Sequence, residues 1–203
     1  MAGVRLAADQ KNARRRGAFI ALLDESGLLL GPLLRRTWAP RGCTPRLVQR
    51  GRRRDKVSVA AAVWLTPRRD RLGLSFRTLV RGYFNNARVA AVLEGLLEEL
   101  GGPAVVVWDG GAMHRGDPIT DLVARAGGRL ALERLPPYGA ELMPVEPLWA
   151  WLKHGRMANF APHDADELNA RAVAELTALR RDQTLLRSFF HASSLPLPRT
   201  LLT

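Results

Sequence analysis

The sequence predicts an α/β domain, a sheet with helices packed on it, from three observations. Short apolar runs at 19–23, 57–65 and 104–108 have the length and β-branched content of buried strands. Between them, residues 86 to 100 repeat their apolar positions every three and four, the period of a helix with one buried face. Residues 104 to 135 read strand, helix, strand, the pattern of two parallel strands joined by a helical crossover.

The first run, Phe19 to Leu23, stops at Asp24-Glu25-Ser26-Gly27, a polar cluster expected to turn the chain so that Leu28 to Leu34 returns as a second strand. A loop rich in Pro, Gly and Arg is expected from Trp38 to Arg54. Val57 to Leu65 is the third strand, closed by Thr66-Pro67, and Leu72 to Val80 a further one. The helix at 86–100 turns Val89, Val92, Leu93, Leu96, Leu97 and Leu100 to a core and is stopped by Gly101-Gly102-Pro103. Ala104 to Trp108 then ends at Asp109-Gly110-Gly111. Asp117-Pro118 caps a helix carrying Ile119, Leu122, Val123 and Ala126, and Arg129 to Leu135 alternates as a strand up to Pro136-Pro137. Val145, Leu148, Trp149 and Leu152 mark a helix whose early turns tolerate Pro144 and Pro147. Asp164 and Glu167 form a capping box for a last helix through Leu168, Ala172, Leu176 and Leu179. The expected organisation is a basic arm at 1–17, one domain at 18–192 and a tail at 193–203.

With 203 residues, 47% hydrophobic and 25% charged, the chain can bury one core of ordinary size, which excludes a disordered protein. Its apolar stretches fall far short of the roughly 20 residues that span a bilayer, so no membrane association is expected. The N-terminus lacks a secretory signal pattern and the single Cys43 has no partner for a disulfide, so the expected location is cytoplasmic. The net charge of +12 is uneven: residues 1–56 hold 14 basic and 4 acidic side chains, and the remainder 17 and 15. The clusters Arg14, Arg15, Arg16 and Arg50, Arg52, Arg53, Arg54, Lys56 are dense enough to hold phosphates, and are the expected DNA-binding residues. An arginine-rich solvated face is the plainer reading of the same composition.

Three acids stand where an apolar element ends or a helix begins: Asp24, Asp109 and Glu146. Hard divalent cations take carboxylate oxygens, and phosphoryl transfer on nucleic acid can use two such ions about 3.5–4 Å apart. If the strands carrying Asp24 and Asp109 are parallel neighbours, both acids reach one edge of the sheet, and a helix delivers Glu146. Taken singly, each is as readily a turn or cap former. Glu25 is expected on the opposite face of the strand from Asp24.

Four segments carry a more specific signal: Ala21 to Ser26, TWAPRGCTP at 37–45, VVVWDGGAMH at 105–114 and LPPYGAELMPVEPLWAWLK at 135–153. They resemble the DDE transposases of bacterial insertion sequences in the mariner-like superfamily. The last segment is the most specific, and the 36 residues between Asp109 and Glu146 are similar to the family's interval between its second and third acids. The resemblance implies an RNase H-like mixed sheet flanked by helices, with Asp24, Asp109 and Glu146 catalytic. It implies two Mg²⁺ or Mn²⁺ ions per site, Asp24 contacting both and the other acids one each. It further implies cleavage of an element's end, attack of the freed 3′-hydroxyl on target DNA, a homodimer holding two ends, and association with a bacterial nucleoid.

Two positions depart from the family's pattern, Gly110 and Met143, where it often has Asn; both neighbour hydrogen bonds that would orient Asp109 and Glu146. His114, where the family often has His, is a candidate outer partner of the acids, a proton shuttle or substrate contact, or simply a packed histidine. Lys153, on roughly the same helix face as Glu146, is a candidate phosphate contact. Trp149 and Trp151 cannot share a face, so one is expected in the core and the other free to stack on DNA or a partner. Family members carry an N-terminal helix-turn-helix region, and only about 18 residues precede the first strand. The expectation is therefore a catalytic half served by a separate helix-turn-helix polypeptide, or a relic. Two alternatives stand beside it: a catalytically inactive DNA-binding protein, and an RNase H-like nuclease without strand transfer.

Overall fold

The computed structural model describes residues 17–48, 55–135, 139–193 and 195. Strands β1 (Phe19–Leu29), β2 (Lys56–Leu65), β3 (Leu72–Val80), β4 (Ala104–Trp108) and β5 (Leu130–Arg134) form one sheet in the order β3-β2-β1-β4-β5. The β3-β2-β1 half is antiparallel and the β1-β4-β5 half parallel, so the pairing direction changes at the central strand. The crossover between β4 and β5 is the strand-helix-strand unit expected from the sequence.

Alternation along the strands divides the core into two layers. Ala21, Leu23, Val106 and Trp108 face α1 (Asn86–Leu100) and α2 (Asp117–Arg125). Ile20, Leu22, Val105 and Val107 face α3 (Val145–Ala150), α4 (Ala165–Leu179) and α5 (Gln183–Ala192). The α3 helix continues without a break into a wider π turn at Trp151–Arg156, closed by Met157 N–H donating to the Leu152 carbonyl five residues back. Among the described residues no helix is long and apolar enough to cross a membrane.

Three expectations are corrected. The polar cluster Asp24 to Gly27 does not turn the chain: β1 runs through it, with every residue from Ile20 to Leu29 opposite a β2 residue. Its polar side chains are accommodated because each has a partner elsewhere in the fold, described below. After β1 the chain leaves the sheet, so Leu33 and Leu34 lie in irregular coil, not a strand. That coil is held by Asn159, which receives the Arg35 N–H, donates to the Arg35 carbonyl, and pairs its own N–H with the Leu33 carbonyl.

The second correction is α5, a helix that follows the one expected to be last. Asp182 caps it by accepting from Leu185 N–H, and Leu186, Phe189 and Phe190, at helical spacing, close the core beneath β3 and α3. The third concerns the tryptophans. Trp149 is buried, and Trp151 is also engaged, its ring 6.1 Å from that of Phe189. Trp151, expected to be free, is instead half-buried against the core.

Candidate active site

Asp24 sits in mid-β1 on the face toward α3. Its Oδ2 accepts a 2.7 Å hydrogen bond from the Trp149 indole N–H. Burial pushes the Asp24 carboxyl up to about 6; the Trp149 bond opposes this, and the negative charge of Glu146 adds to it. Glu146 stands in the first turn of α3, one helical turn before Trp149, and is exposed. Two residues beyond Asp24 on the same face, Ser26 Oγ accepts a 2.6 Å bond from Lys153 Nζ. Burial lowers the Lys153 ammonium below its usual range, against the pull of Glu146 and Asp24. Strand β1 and the α3 helix thus bring Asp24, Glu146 and Lys153 into one electrostatic group.

Asp109 follows the last residue of β4. The last β1–β4 pair is Leu22 with Val107, so continuing both strands by two residues sets Asp24 level with Asp109. The carboxylate itself is turned into its own loop: Oδ1 accepts from Gly111 N–H at 2.8 Å and lies 2.8 Å from His114 Nδ1. Gly111 leaves room for this, since a Cβ there would come within 3.0 Å of that oxygen. Among the described residues, no three His, Cys, Asp or Glu side chains are grouped to hold a metal ion. Asp24 and Glu146 are brought together, and Asp109 shares their end of the sheet without joining them.

His114 is buried at 3% exposure and lies flat on Trp108, ring centroids 4.3 Å apart and planes 2° apart. Its Nε2 is 3.2 Å from both carboxylate oxygens of Glu25. Burial favours the neutral ring, but Glu25 and then Asp109 outweigh it and raise its pKa. Glu25, on the opposite face of β1 from Asp24, therefore anchors the histidine that touches Asp109. Sequence reasoning missed the roles of Glu25, Ser26 and Trp149. The available signals were the alternation of β1 and the three-residue spacing from Glu146 to Trp149.

Arg14, Arg15, Arg16, Arg50, Arg52, Arg53 and Arg54 lie outside the described residues. Lys56 opens β2 with its ammonium 3.0 Å over the Tyr83 ring, a cation–π contact. Of the two departures from the family's pattern, Met143 is buried in the core beside α3, and Gly110 faces open space. The donor chemistry at Asp24 and Glu146 fits a hard divalent cation, because two carboxylates in a partly buried setting hold charge that such an ion neutralises. Asp109 has one carboxylate oxygen engaged in its loop and supplies the same type of donor.

Comparison with known proteins places the fold. No curated protein matches the chain. The structure is similar to the Mos1 mariner paired-end complex with Mn, at TM-score 0.63 and 17% identity, covering 99% of this chain and 58% of that one. It is similar to the catalytic domain of Mos1 mariner transposase at TM-score 0.56 and 16% identity, covering 99% of this chain and 88% of that domain. The Mos1 paired-end complex with left transposon end matches at TM-score 0.60 and 16% identity. The chain thus spans about three fifths of the length of the transposase chains in those complexes, 59% in the last case. At these identities the likeness establishes the fold, which is RNase H-like. The DDE superfamily endonuclease family matches residues 20–169, a span that contains Asp24, Asp109 and Glu146, and the chain belongs to that family.

Proposed function

We propose that this chain is the catalytic domain of a DNA transposase that cuts and joins strands using Mg²⁺ or Mn²⁺. The observation that supports this reading best is the Asp24–Glu146 pair, in which burial and like charge raise the Asp24 carboxyl at the end of a parallel strand pair that also carries Asp109. Such a pair is costly for the fold alone and is the arrangement a cation site requires. Asp24 would contact two ions, Glu146 and Asp109 one each. When bound, those ions would supply activation of the attacking oxygen, from water in cleavage or a 3′-hydroxyl in strand transfer, and stabilisation of the leaving oxygen.

The chain's own residues do the rest. Lys153, tied to Ser26 two residues from Asp24, offers a cation to a phosphate at the same place. The arginines of residues 14–16 and 50–54, with Lys56, attract the DNA backbone. Residues 18–192 form the catalytic unit, and a homodimer would hold two element ends. A helix-turn-helix region would read them, in a bacterial insertion sequence acting at the nucleoid.

One observation favours a second reading, a DNA-binding protein without catalysis: the Asp109 carboxylate faces its own loop. Nicking of supercoiled plasmid with Mg²⁺ or Mn²⁺ separates the two. Activity abolished by each of Asp24→Ala, Asp109→Ala and Glu146→Ala, all shown to be folded, is the expected result. DNA binding that needs no metal and survives all three substitutions, with no nicking by the wild type, would establish the second reading. Joining of 3′-OH ends to a circular target distinguishes a transposase from a nuclease that only cleaves.

A further inference from the structure

We infer that Trp149 is a positioning residue for Asp24: its indole N–H fixes the carboxylate's orientation and, through the same helical turn, the spacing between Asp24 and Glu146. The inference rests on the reading of these two acids as metal ligands. Trp149 is buried, and its Nε1 reaches Asp24 Oδ2 at 2.7 Å. Indole N–H is a donor only, so this bond keeps the same direction whatever the protonation of the acid. With Oδ2 held there, turning the carboxylate about its Cβ–Cγ bond breaks the hydrogen bond, which favours a single orientation of the acid.

The neighbours of Trp149 on the inner face, Leu148 and Leu152, are fully buried and only fill volume. Any large apolar side chain at 149 would do the same. The N–H is what distinguishes tryptophan there. Glu146 precedes it by three residues, about 4.5 Å along the helix and on an adjacent line of its surface, so one turn carries both an acid and the clamp on the opposing acid.

A second tie runs in step with the first. Lys153 bonds Ser26 at 2.6 Å, four residues after Trp149 and two after Asp24. The two bonds, four residues apart along the helix and two apart along the strand, tie the same stretch of helix and strand together. Slippage of α3 along β1 would break both.

The test is Mn²⁺ binding to the full chain, followed by the electron paramagnetic resonance signal of free Mn²⁺, for wild type, Trp149→Phe, Trp151→Phe and Asp24→Ala. Near-ultraviolet circular dichroism checks folding of each. Trp149→Phe keeps a buried ring and loses the N–H; it should weaken Mn²⁺ binding about 10-fold or more, the usual effect of removing a ligand's outer hydrogen bond. Trp151→Phe, whose ring packs on Phe189, should bind as wild type. Wild-type affinity in Trp149→Phe, with binding lost in Asp24→Ala, would overturn the positioning role and leave the metal site standing. Wild-type affinity in Asp24→Ala would overturn the metal site and the inference with it. If Trp149→Phe does not fold, the benzothienyl isostere of Trp149, which keeps both fused rings and lacks the N–H, carries the same expectation.

Discussion

Glu25 on β1 and Asp109 just past the end of neighbouring β4 share the two nitrogens of one imidazole: His114 Nε2 lies 3.2 Å from Glu25 and Nδ1 2.8 Å from Asp109 Oδ1. The ring is buried and stacked on Trp108, so neither carboxylate can leave it without cost. Its pKa is raised above the ordinary histidine value, with burial resisting and Glu25 and Asp109 prevailing. A raised histidine contributes stability that is fully present below the unfolded value and lost as pH climbs through the folded one. Wild type should therefore lose stability relative to His114→Gln as pH rises from about 6.5, measured by denaturant unfolding at stepped pH. Parallel pH curves for the two proteins would exclude a charged His114.

Asp24 acts in the same direction at lower pH. Its carboxyl rises from 3.8 to about 6, so the folded state binds the proton more tightly than the unfolded chain. Stability is greatest below the unfolded value and falls as pH passes about 6. A rise of that size corresponds to about 3 kcal/mol. Metal-free Asp24→Asn should accordingly be more stable than wild type at neutral pH by an amount of that order, with the advantage vanishing near about pH 4. Mg²⁺ should reverse the ranking by stabilising wild type alone once its gain exceeds that difference, as at about 1,000 times its Kd, where a ligand adds about 4.1 kcal/mol. An Asp24→Asn protein less stable than wild type at neutral pH without metal would contradict a carboxyl raised by burial and, after it, by Glu146.

The arginine cluster before β2 makes a different kind of claim, about affinity and not chemistry. Replacing Arg52, Arg53 and Arg54 with Ala should weaken DNA binding about equally across sequences. It should also flatten the log Kd against log salt plot, by about 0.9 for each phosphate no longer neutralised. Fluorescence anisotropy on two unrelated duplexes over a salt series measures both. A slope unchanged by the triple substitution would remove the cluster from the interface.

Helix α5 is part of the core and not an appendage. Leu186 is fully buried in the core that α5 closes against β3 and α3. Leu186→Ala should cost about 2–5 kcal/mol, the range for emptying such a site. Urea unfolding monitored by circular dichroism gives the value, and a loss within experimental scatter would mean that α5 is only loosely docked.

How much of this is legible in the sequence depends on which residues carry structural information locally. Helix α1 and the β4-α2-β5 unit follow from spacing alone, because their apolar residues face one core at one period. Strand β1 reads as two pieces because Asp24, Glu25 and Ser26 break its apolar run, and consecutive polar residues signal a turn. They stay in the strand because Trp149, His114 and Lys153 meet them from elements far along the chain, 125 residues away for Trp149. No local pattern encodes that. The α5 signal is present in Asp182 and in the spacing of Leu186, Phe189 and Phe190. The acids are legible as residues and partly as neighbours. The orientation of the Asp109 carboxylate is not, since it depends on Gly111 and on a ring held in turn by Glu25 of the neighbouring strand.

Because consecutive residues of β1 serve opposite faces, its ladder with β2 works as a vernier for the chemistry. Asp24 stands opposite Ala61 and Glu25 opposite Ala60. A displacement of one position toward β1's N-terminal end would put Glu25 in Asp24's place at the indole and Ser26 in Glu25's place at the imidazole, with backbone pairing largely retained. Losing a single residue between Phe19 and Leu23 would thus yield a chain of almost identical composition with a glutamate at the indole and a serine at the imidazole: a sheet still formed, and a site with its acids misplaced.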